Sequence, residues 1–452
     1  MRNYSPRNPR TSPLYQLVED YHETFENCYD ELYQRQYGFW RPIIRDVLYK
    51  FLDCGDLRQG FARIRCETCG SEYLLSFSCK TRCFCPSCNQ RRSLEFGESV
   101  ADKILDDTPV RTCTFTIPKM LRPYFKFDHK LYSRLCRCAY ETILEMFQLI
   151  SESEEILPGM IIAIHTFGSL LNHHPHLHGI VTDGCFDKNG KFYLLPEIPD
   201  NKEISDIFGL KVLEMMMKEN KITKVIADKI MSWHHSGFNV HFGGVISPQN
   251  RNAQEAAARY LARSPISLEK MTYLPEEGKV IYGKHKGEKK IFDAMNFLAL
   301  ATSHITNRFE HRVIYYGWWS SKIRGMRKKA ETIHEPLVII EPVLSSTQYR
   351  KKWAYFIKKV YKDDPLICPK CSGQMRLIGF IEEPQAVKTI LLSLNLWEFP
   401  AREDTKNDRA PPKKAVSACP DYCSDIDYGW EAYWKDPIWE DPVWEDEISM
   451  AS

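Results

Sequence analysis

The sequence predicts an α+β protein, on three observations. Between residues 111 and 335, short β-branched runs alternate with longer segments of helical period. Ahead of them, seven cysteines crowd between Cys54 and Cys88, flanked by helical pattern. Behind them, Cys368-Pro-Lys-Cys371 precedes one more strand and helix, so residues 336–400 read as a small unit. With 452 residues the chain is long enough for roughly two to four domain cores.

Taken in order, Leu14, Leu17, Val18, Tyr21 and Phe25 recur at helix spacing, which makes residues 14–52 helical. Arg111–Ile117 is rich in Thr and Ile and is ended by Pro118, as a strand is. Asp128 to about Glu152 is an amphipathic helix. Met160–Phe167, His176–Asp183 and Phe238–Ile246 are the next strands. Ala253–Ser264 is helical and stops before Pro265. Val280–Lys290 holds a basic hairpin turn around Gly287, Met295–Phe309 a helix and Arg312–Tyr316 a short strand. Met375–Ile381 and Ala386–Leu396 then form a strand and a helix. From 401 the chain is polar, and its end sets a proline every five residues among acids, as in Trp434-Lys-Asp-Pro-Ile-Trp439-Glu-Asp-Pro-Val-Trp444. Such a composition does not fold by itself. It reads as a solvated tail, the sharper alternative being a docking or autoinhibitory segment.

Met1 to Arg10 is basic and lacks an apolar run, so no signal peptide is visible, and no stretch has the ~18 apolar residues of a membrane span. The expectation is a soluble, cytoplasmic protein without a membrane partner. In that compartment sixteen cysteines point to metal rather than disulfides. A net charge of +2 conceals an asymmetry: residues 421–452 carry −9, leaving +11 on the other 420. A basic body suits a nucleic-acid partner.

Cys66-Glu-Thr-Cys69 and Cys85-Pro-Ser-Cys88, 15 residues apart, can give four thiolates to one tetrahedral zinc. Cys54, Cys79 and Cys83 are left over, for a further site or for packing. Arg58, Arg63, Arg65, Lys80, Arg82, Arg91 and Arg92 surround the cluster and suit phosphate contacts, or form a solvated rim. Cys368 and Cys371 make half of a second zinc site, with Cys419 and Cys423 as candidates to complete it.

His176-Leu-His178 is the most informative motif. Histidines at i and i+2 on a strand share a face and can hold one metal ion. Fourteen histidines give about 0.4 such pairs by chance, so the spacing is weak without its setting. His165, near the end of the preceding strand, is a candidate third ligand or a polar packing residue, and His174 shares the parity of the pair but precedes Pro175, which places it off the strand. Open metal positions would admit a phosphate oxygen on Mg²⁺ or Mn²⁺. Tyr260, with Arg259 and Arg263 beside it, is the candidate nucleophile for a DNA phosphodiester. No Gly-Lys phosphate loop, acidic metal cluster or Ser-His pair competes. In residues 312–329, Tyr315, Tyr316, Trp318 and Trp319 could stack on unpaired bases while Lys322, Arg324, Arg327, Lys328 and Lys329 follow the backbone. The alternative is that these aromatics are core and only the basic tail is exposed.

Several motifs, in order, carry a family resemblance. They are Cys54-Gly-Asp-Leu-Arg-Gln-Gly-Phe61, Phe77-Ser-Cys-Lys-Thr-Arg82 with Cys85-Pro-Ser-Cys88, and Thr116-Ile-Pro-Lys-Met-Leu-Arg122. Phe167-Gly-Ser169, His174-Pro-His-Leu-His178, Asp183-Gly184 and Arg259-Tyr-Leu-Ala-Arg-Ser-Pro-Ile266 follow. Tyr315-Tyr-Gly317, Arg324-Gly325 and Cys368-Pro-Lys-Cys371 close the series. Over roughly residues 30–400 the chain resembles the rolling-circle transposases of insertion-sequence family ninety-one. The resemblance implies an N-terminal zinc-binding, DNA-binding domain over 1–110 and an HUH nuclease core over 111–335. That core has an antiparallel central sheet flanked by helices, and a small C-terminal unit (336–400) and acidic tail (401–452) follow. It implies His176 and His178 as metal ligands and Tyr260 as the residue that forms a 5′-phosphotyrosine. The implied partners are single-stranded DNA at the element ends and target DNA, on a bacterial nucleoid, with the oligomeric state open. Where two-tyrosine members have their second tyrosine, this chain has Ser264, and where the family often has Gln it has His165. A plasmid replication initiator and a non-catalytic zinc protein that binds DNA are the alternatives.

Overall fold

The computed structural model describes residues 9–105, 107–151, 153–195, 201–233, 235–283, 287–331 and 366–397. The acidic tail, Cys419 and Cys423 lie outside them. The described residues belong to two compact units, one from 9–92, 264–308 and 366–397, the other from 93–263 and 309–331. No helix among them is long and apolar enough to cross a membrane.

In the first unit, α1 (Pro13–Leu32) starts at Ser12, whose hydroxyl oxygen accepts the Tyr15 N–H, with Pro13 at the first helical position. The five apolar residues expected on its inner face are all buried. A single turn, α2 (Gln34–Tyr37), and α3 (Pro42–Leu52) follow. Against α1 pack α10 (Ala294–Ser303) and β9 (Met271–Leu274). β10 (Lys279–Gly283) pairs with β11 (Lys289–Asp293), as the hairpin pattern predicts, and also with β9, which that pattern did not include. Arg41 donates to the carbonyls of Thr302 (3.0 Å) and Ile305 (2.6 Å), satisfying acceptors at the open C-terminal end of α10. That helix ends at Ser303, short of the expected Phe309.

A second sheet of this unit has the order β13-β1-β2, built from β13 (Met375–Ile381), β1 (Phe61–Cys66) and β2 (Glu72–Ser76). All pairs are antiparallel, and Cys66 stands opposite Met375. Met375 and Leu377 share a buried cluster with Ala62 and Ile64. The segment expected to form a small separate unit therefore supplies an edge strand to the N-terminal sheet, followed by α12 (Pro384–Ser393). A lone strand and helix could not bury that apolar face by themselves.

The second unit is built on a five-stranded antiparallel sheet of order β12-β4-β5-β3-β8. Its strands are β3 (Val110–Thr116), β4 (Gly159–Phe167), β5 (His173–Thr182), β8 (Asn239–Ile246) and β12 (Val313–Gly317). Met160, Ile162, Leu177, Val181 and Phe115 face a core shared with α6 (Lys130–Ser151) and α7 (Asn201–Lys218). On the opposite face Ile161, Ala163, Ile180 and Val110 meet residues 100–105, the last turn of α4 (Pro86–Lys103) included, and α9 (Arg251–Leu261). α5 (Arg122–Phe127), the β6–β7 hairpin (Gly184–Phe186, Phe192–Leu194), α8 (Lys224–Met231) and α11 (Ser321–Glu331) complete the unit. The α+β class is the one the sequence predicts, and the antiparallel sheet is the one the family resemblance implies.

Candidate active site

Alternation along the strands brings the candidate residues to one face. On β4 and β5, His165 stands opposite His176, Ala163 opposite His178 and Ile161 opposite Ile180. Residues directly opposite in an antiparallel ladder point to the same side. The three histidines therefore continue the apolar rows that carry α9. β5 starts at His173 rather than His176, and a register shift between His165 and Phe167 accommodates Pro175, which has no N–H for the ladder. His174 thus lies within the strand, buried, and its carbonyl accepts the His176 Nδ1–H at 2.7 Å.

α9 is capped by Asn250, whose side chain accepts the Ala253 N–H at 3.1 Å. Ala258 and Leu261 sink into the sheet's apolar rows. Tyr260, beside that buried stripe, is half-buried, with its ring centroid 4.9 Å from that of His178 and 5.8 Å from that of His165. Arg263 donates to the Tyr260 hydroxyl at 3.1 Å and lies over its ring.

One ring nitrogen from each of His165, His176 and His178 lies within 4.8 Å of the others, a group fit for one metal ion. Backbone carbonyls fix two of the tautomers. His165 Nε2–H donates to Leu261 at 3.3 Å, leaving Nδ1 as its donor atom, and the His174 carbonyl leaves Nε2 on His176. Thr114 stands opposite His178 on β3, its hydroxyl 3.2 Å from Nδ1, which suits Nε2 as the ligand. All three donors are held by second partners, and burial keeps His165 and His178 neutral, so the set fits a divalent ion. Thr114 was missed in the sequence, although its place in the Thr112-x-Thr114-x-Thr116 alternation carries the signal.

Burial first, then neighbouring imidazoles and arginines, holds His165 and His178 well below the ordinary histidine value of 6.5, and His174 is pushed down to about 2 for the same reason. Below pH 6.5 the unfolded chain takes up protons that these native imidazoles refuse. Stability of the metal-free protein should therefore fall as pH drops below 6.5, by up to about 1.4 kcal/mol per pH unit for each imidazole that stays neutral. Denaturant midpoints measured across that window check this, and a His165→Gln variant should show a shallower slope; a flat wild-type profile would contradict it.

The cysteines assemble differently from the expected set. Cys85 and Cys88, at the start of α4, group with Cys54 and Cys79, while Cys66 and Cys69 group with Cys368 and Cys371. In each group the sulfurs lie within 4.8 Å of one another. The two knuckles thus do not share one ion, because the loop after β1 turns toward β13 rather than toward α4. Cys83 joins neither group.

The expected DNA-contacting residues divide. Lys322, Lys328 and Lys329 on α11 and Arg263 are exposed, and Arg259 is half-exposed. Arg324 donates to the Trp319 carbonyl at 2.9 Å and lies over Tyr315, which is half-buried in β12. Arg327 lies over Trp318, 4.5 Å from the ring centroid to Cζ. Trp318 is 8% exposed and stacked on Phe186 at 4.5 Å, so it is a core residue rather than a platform for bases. Trp319 is wholly buried, and Tyr316 stacks on Tyr140. Gly317, at φ +56° with the Pro158 carbonyl where a side chain would stand, lets the chain fold both indoles inward.

Residues 159–327, which include all three histidines and Tyr260, match the family described as "Putative transposase", and residues 24–117 match "Transposase zinc-binding domain". The chain is 23% identical over 398 residues to the transposase for insertion sequence element IS801 of Pseudomonas savastanoi pv. phaseolicola, over 82% of this chain and 89% of that one. It is also 23% identical over 383 residues to "Putative transposase y4qJ" of Sinorhizobium fredii, over 78% of this chain and 94% of that one. No solved structure matches it.

Proposed function

We propose, for a chain that belongs to the transposases of insertion-sequence family ninety-one, that Tyr260 cuts single-stranded DNA at the element ends and becomes covalently joined to it. The observation that carries this is the Tyr260 ring set 4.9 Å from His178, beside three imidazoles whose nitrogens converge within 4.8 Å. A divalent ion such as Mg²⁺ or Mn²⁺, held by His176, His178 and His165, would when bound draw negative charge from the scissile phosphate.

The Tyr260 oxygen attacks phosphorus as its proton leaves to water. The bond from phosphorus to the 3′-oxygen breaks, that oxygen takes up a proton, and a 5′-phosphotyrosine remains. One phosphoester is lost and one is formed, so a later 3′-hydroxyl can reverse the step and join strands without ATP. Strand transfer by a rolling-circle route would use this retained bond for the joining step. Arg263, donating to the phenol oxygen, orients it. Arg259 and the exposed lysines of α11 suit contacts with phosphate along the strand. Structural zinc on the cysteine-rich segment accompanies this chemistry.

The test uses single-stranded DNA from the element ends, labelled at the 5′ or the 3′ terminus, with Mg²⁺ or Mn²⁺ and denaturing gels. The expected result is a metal-dependent adduct on the 3′ fragment that maps by peptide sequencing to Tyr260. Binding without any adduct would leave a DNA-binding protein that does not cut.

A further inference from the structure

We infer that Cys66, Cys69, Cys368 and Cys371 form a second four-thiolate zinc site, which fastens the late strand β13 to the N-terminal sheet. Residues 24–117, the zinc-binding match, contain the whole of the Cys54, Cys79, Cys85 and Cys88 group but only half of this one. The other half comes from far along the chain: Cys69 and Cys368 are 299 residues apart in sequence, with their sulfurs 3.6 Å apart. Cys66 and Cys371 are likewise 3.6 Å apart. Zinc–sulfur bonds of about 2.3 Å in a tetrahedron place sulfurs about 3.8 Å apart. These contacts are therefore at ligand spacing, and all four cysteines are free thiols.

The surrounding backbone is built alike on both sides. Each Cys-x-x-Cys is followed by a residue in the left-handed region, Gly70 at φ +69° and Ser372 at φ +58°. In one loop the Gly70 N–H returns to the Cys66 carbonyl (3.1 Å), and in the other the Ser372 N–H returns to that of Cys368 (2.9 Å). The Cys69 N–H points at the Cys66 sulfur, 3.5 Å away, as it does toward a metal-bound thiolate. Glu67 N–H donates to the Gln374 carbonyl at 3.0 Å, and Gly373 lies so close to Thr68 that a Cβ there would collide with it. The two loops are thus fitted to each other about the four sulfurs. Cys66 and Cys368 are buried, whereas Cys69 and Cys371 are exposed, so this ion is the one that solvent chelators reach first.

Metal content of the full-length protein, purified with zinc and measured by native mass spectrometry, tests this. In a His176→Ala/His178→Ala background, which removes the imidazole site, two zinc ions per chain are expected, falling to one in Cys368→Ser/Cys371→Ser and to one in Cys54→Ser/Cys79→Ser. An unchanged count of two in the Cys368→Ser/Cys371→Ser variant would overturn the assignment, as would a single ion in the background itself. Because serine variants can misfold, Cys371→His in the same background provides a second readout with Co²⁺ in place of zinc. It should keep two ions while half of the four-sulfur absorption shifts to a three-sulfur, one-nitrogen pattern; an unshifted spectrum would count against the site. Hydrogen exchange adds the structural consequence: mild chelation should deprotect residues 375–381 before β1's partner β2. Tyr260→Phe should leave both ions in place, so this site stands or falls apart from the nuclease chemistry.

Discussion

Tyr260→Phe is expected to abolish the covalent protein–DNA adduct and to lower strand cleavage by on the order of 10⁴-fold or more, as loss of a nucleophile does. The substitution removes one oxygen. The ring stays beside His178, and the hydrogen bond from the exposed Arg263 is worth about 1 kcal/mol or less in stability. The fold and DNA binding should therefore survive, which separates the chemical effect from a structural one. Adduct formation on denaturing gels, together with a melting curve and a binding isotherm, reads all three. An adduct that persists in the phenylalanine variant would assign the nucleophile to another tyrosine.

Much of this site was legible because it depends on local periodicity. His176 and His178 share a face by strand geometry alone, and the β-branched runs around them were strong enough to give β3, β4 and β5. Tyr260 could be placed on a helix, since Pro265 ends the segment, but not over the histidines, which takes the pairing of Ile161 with Ile180 and the seating of Ala258 and Leu261 on that row. The cysteines show the limit more sharply. Spacing favoured joining Cys66 and Cys69 to Cys85 and Cys88, yet ligand sets follow strand register, and Cys66 pairs beside Met375. Nothing local encodes a contact across 299 residues. Trp318 was ambiguous for a different reason: an aromatic beside arginines reads alike as a stacking platform and as core. Gly317 and Phe186 decide it for core. α7 went unread because Ile204, Phe208, Val212, Leu213, Met215 and Met216 are all buried, an apolar band too broad for a simple one-face period.

His178→Ala should weaken divalent-metal binding and remove metal-dependent cleavage, by on the order of 10³-fold or more if charge on the phosphate is then left unneutralised. His178 is the imidazole nearest to the rest of the constellation. Its ring lies 4.7 Å from those of His165 and His176 and 4.9 Å from that of Tyr260, centroid to centroid. A loss of activity alone could reflect a cavity left by a buried ring, so Thr114→Val supplies the graded control. That change keeps all three imidazoles and nearly the same volume, and deletes only the hydroxyl 3.2 Å from His178 Nδ1. Removing such a supporting partner costs about 10–100-fold in metal affinity when the histidine is a ligand. The same change would leave metal affinity untouched if His178 merely packed. Mn²⁺ titrations followed by electron paramagnetic resonance, with melting curves of the metal-free proteins alongside, distinguish the two. The ligand role requires the order wild type, Thr114→Val, His178→Ala in falling affinity, and equal affinities across the three would reassign His178 to the core.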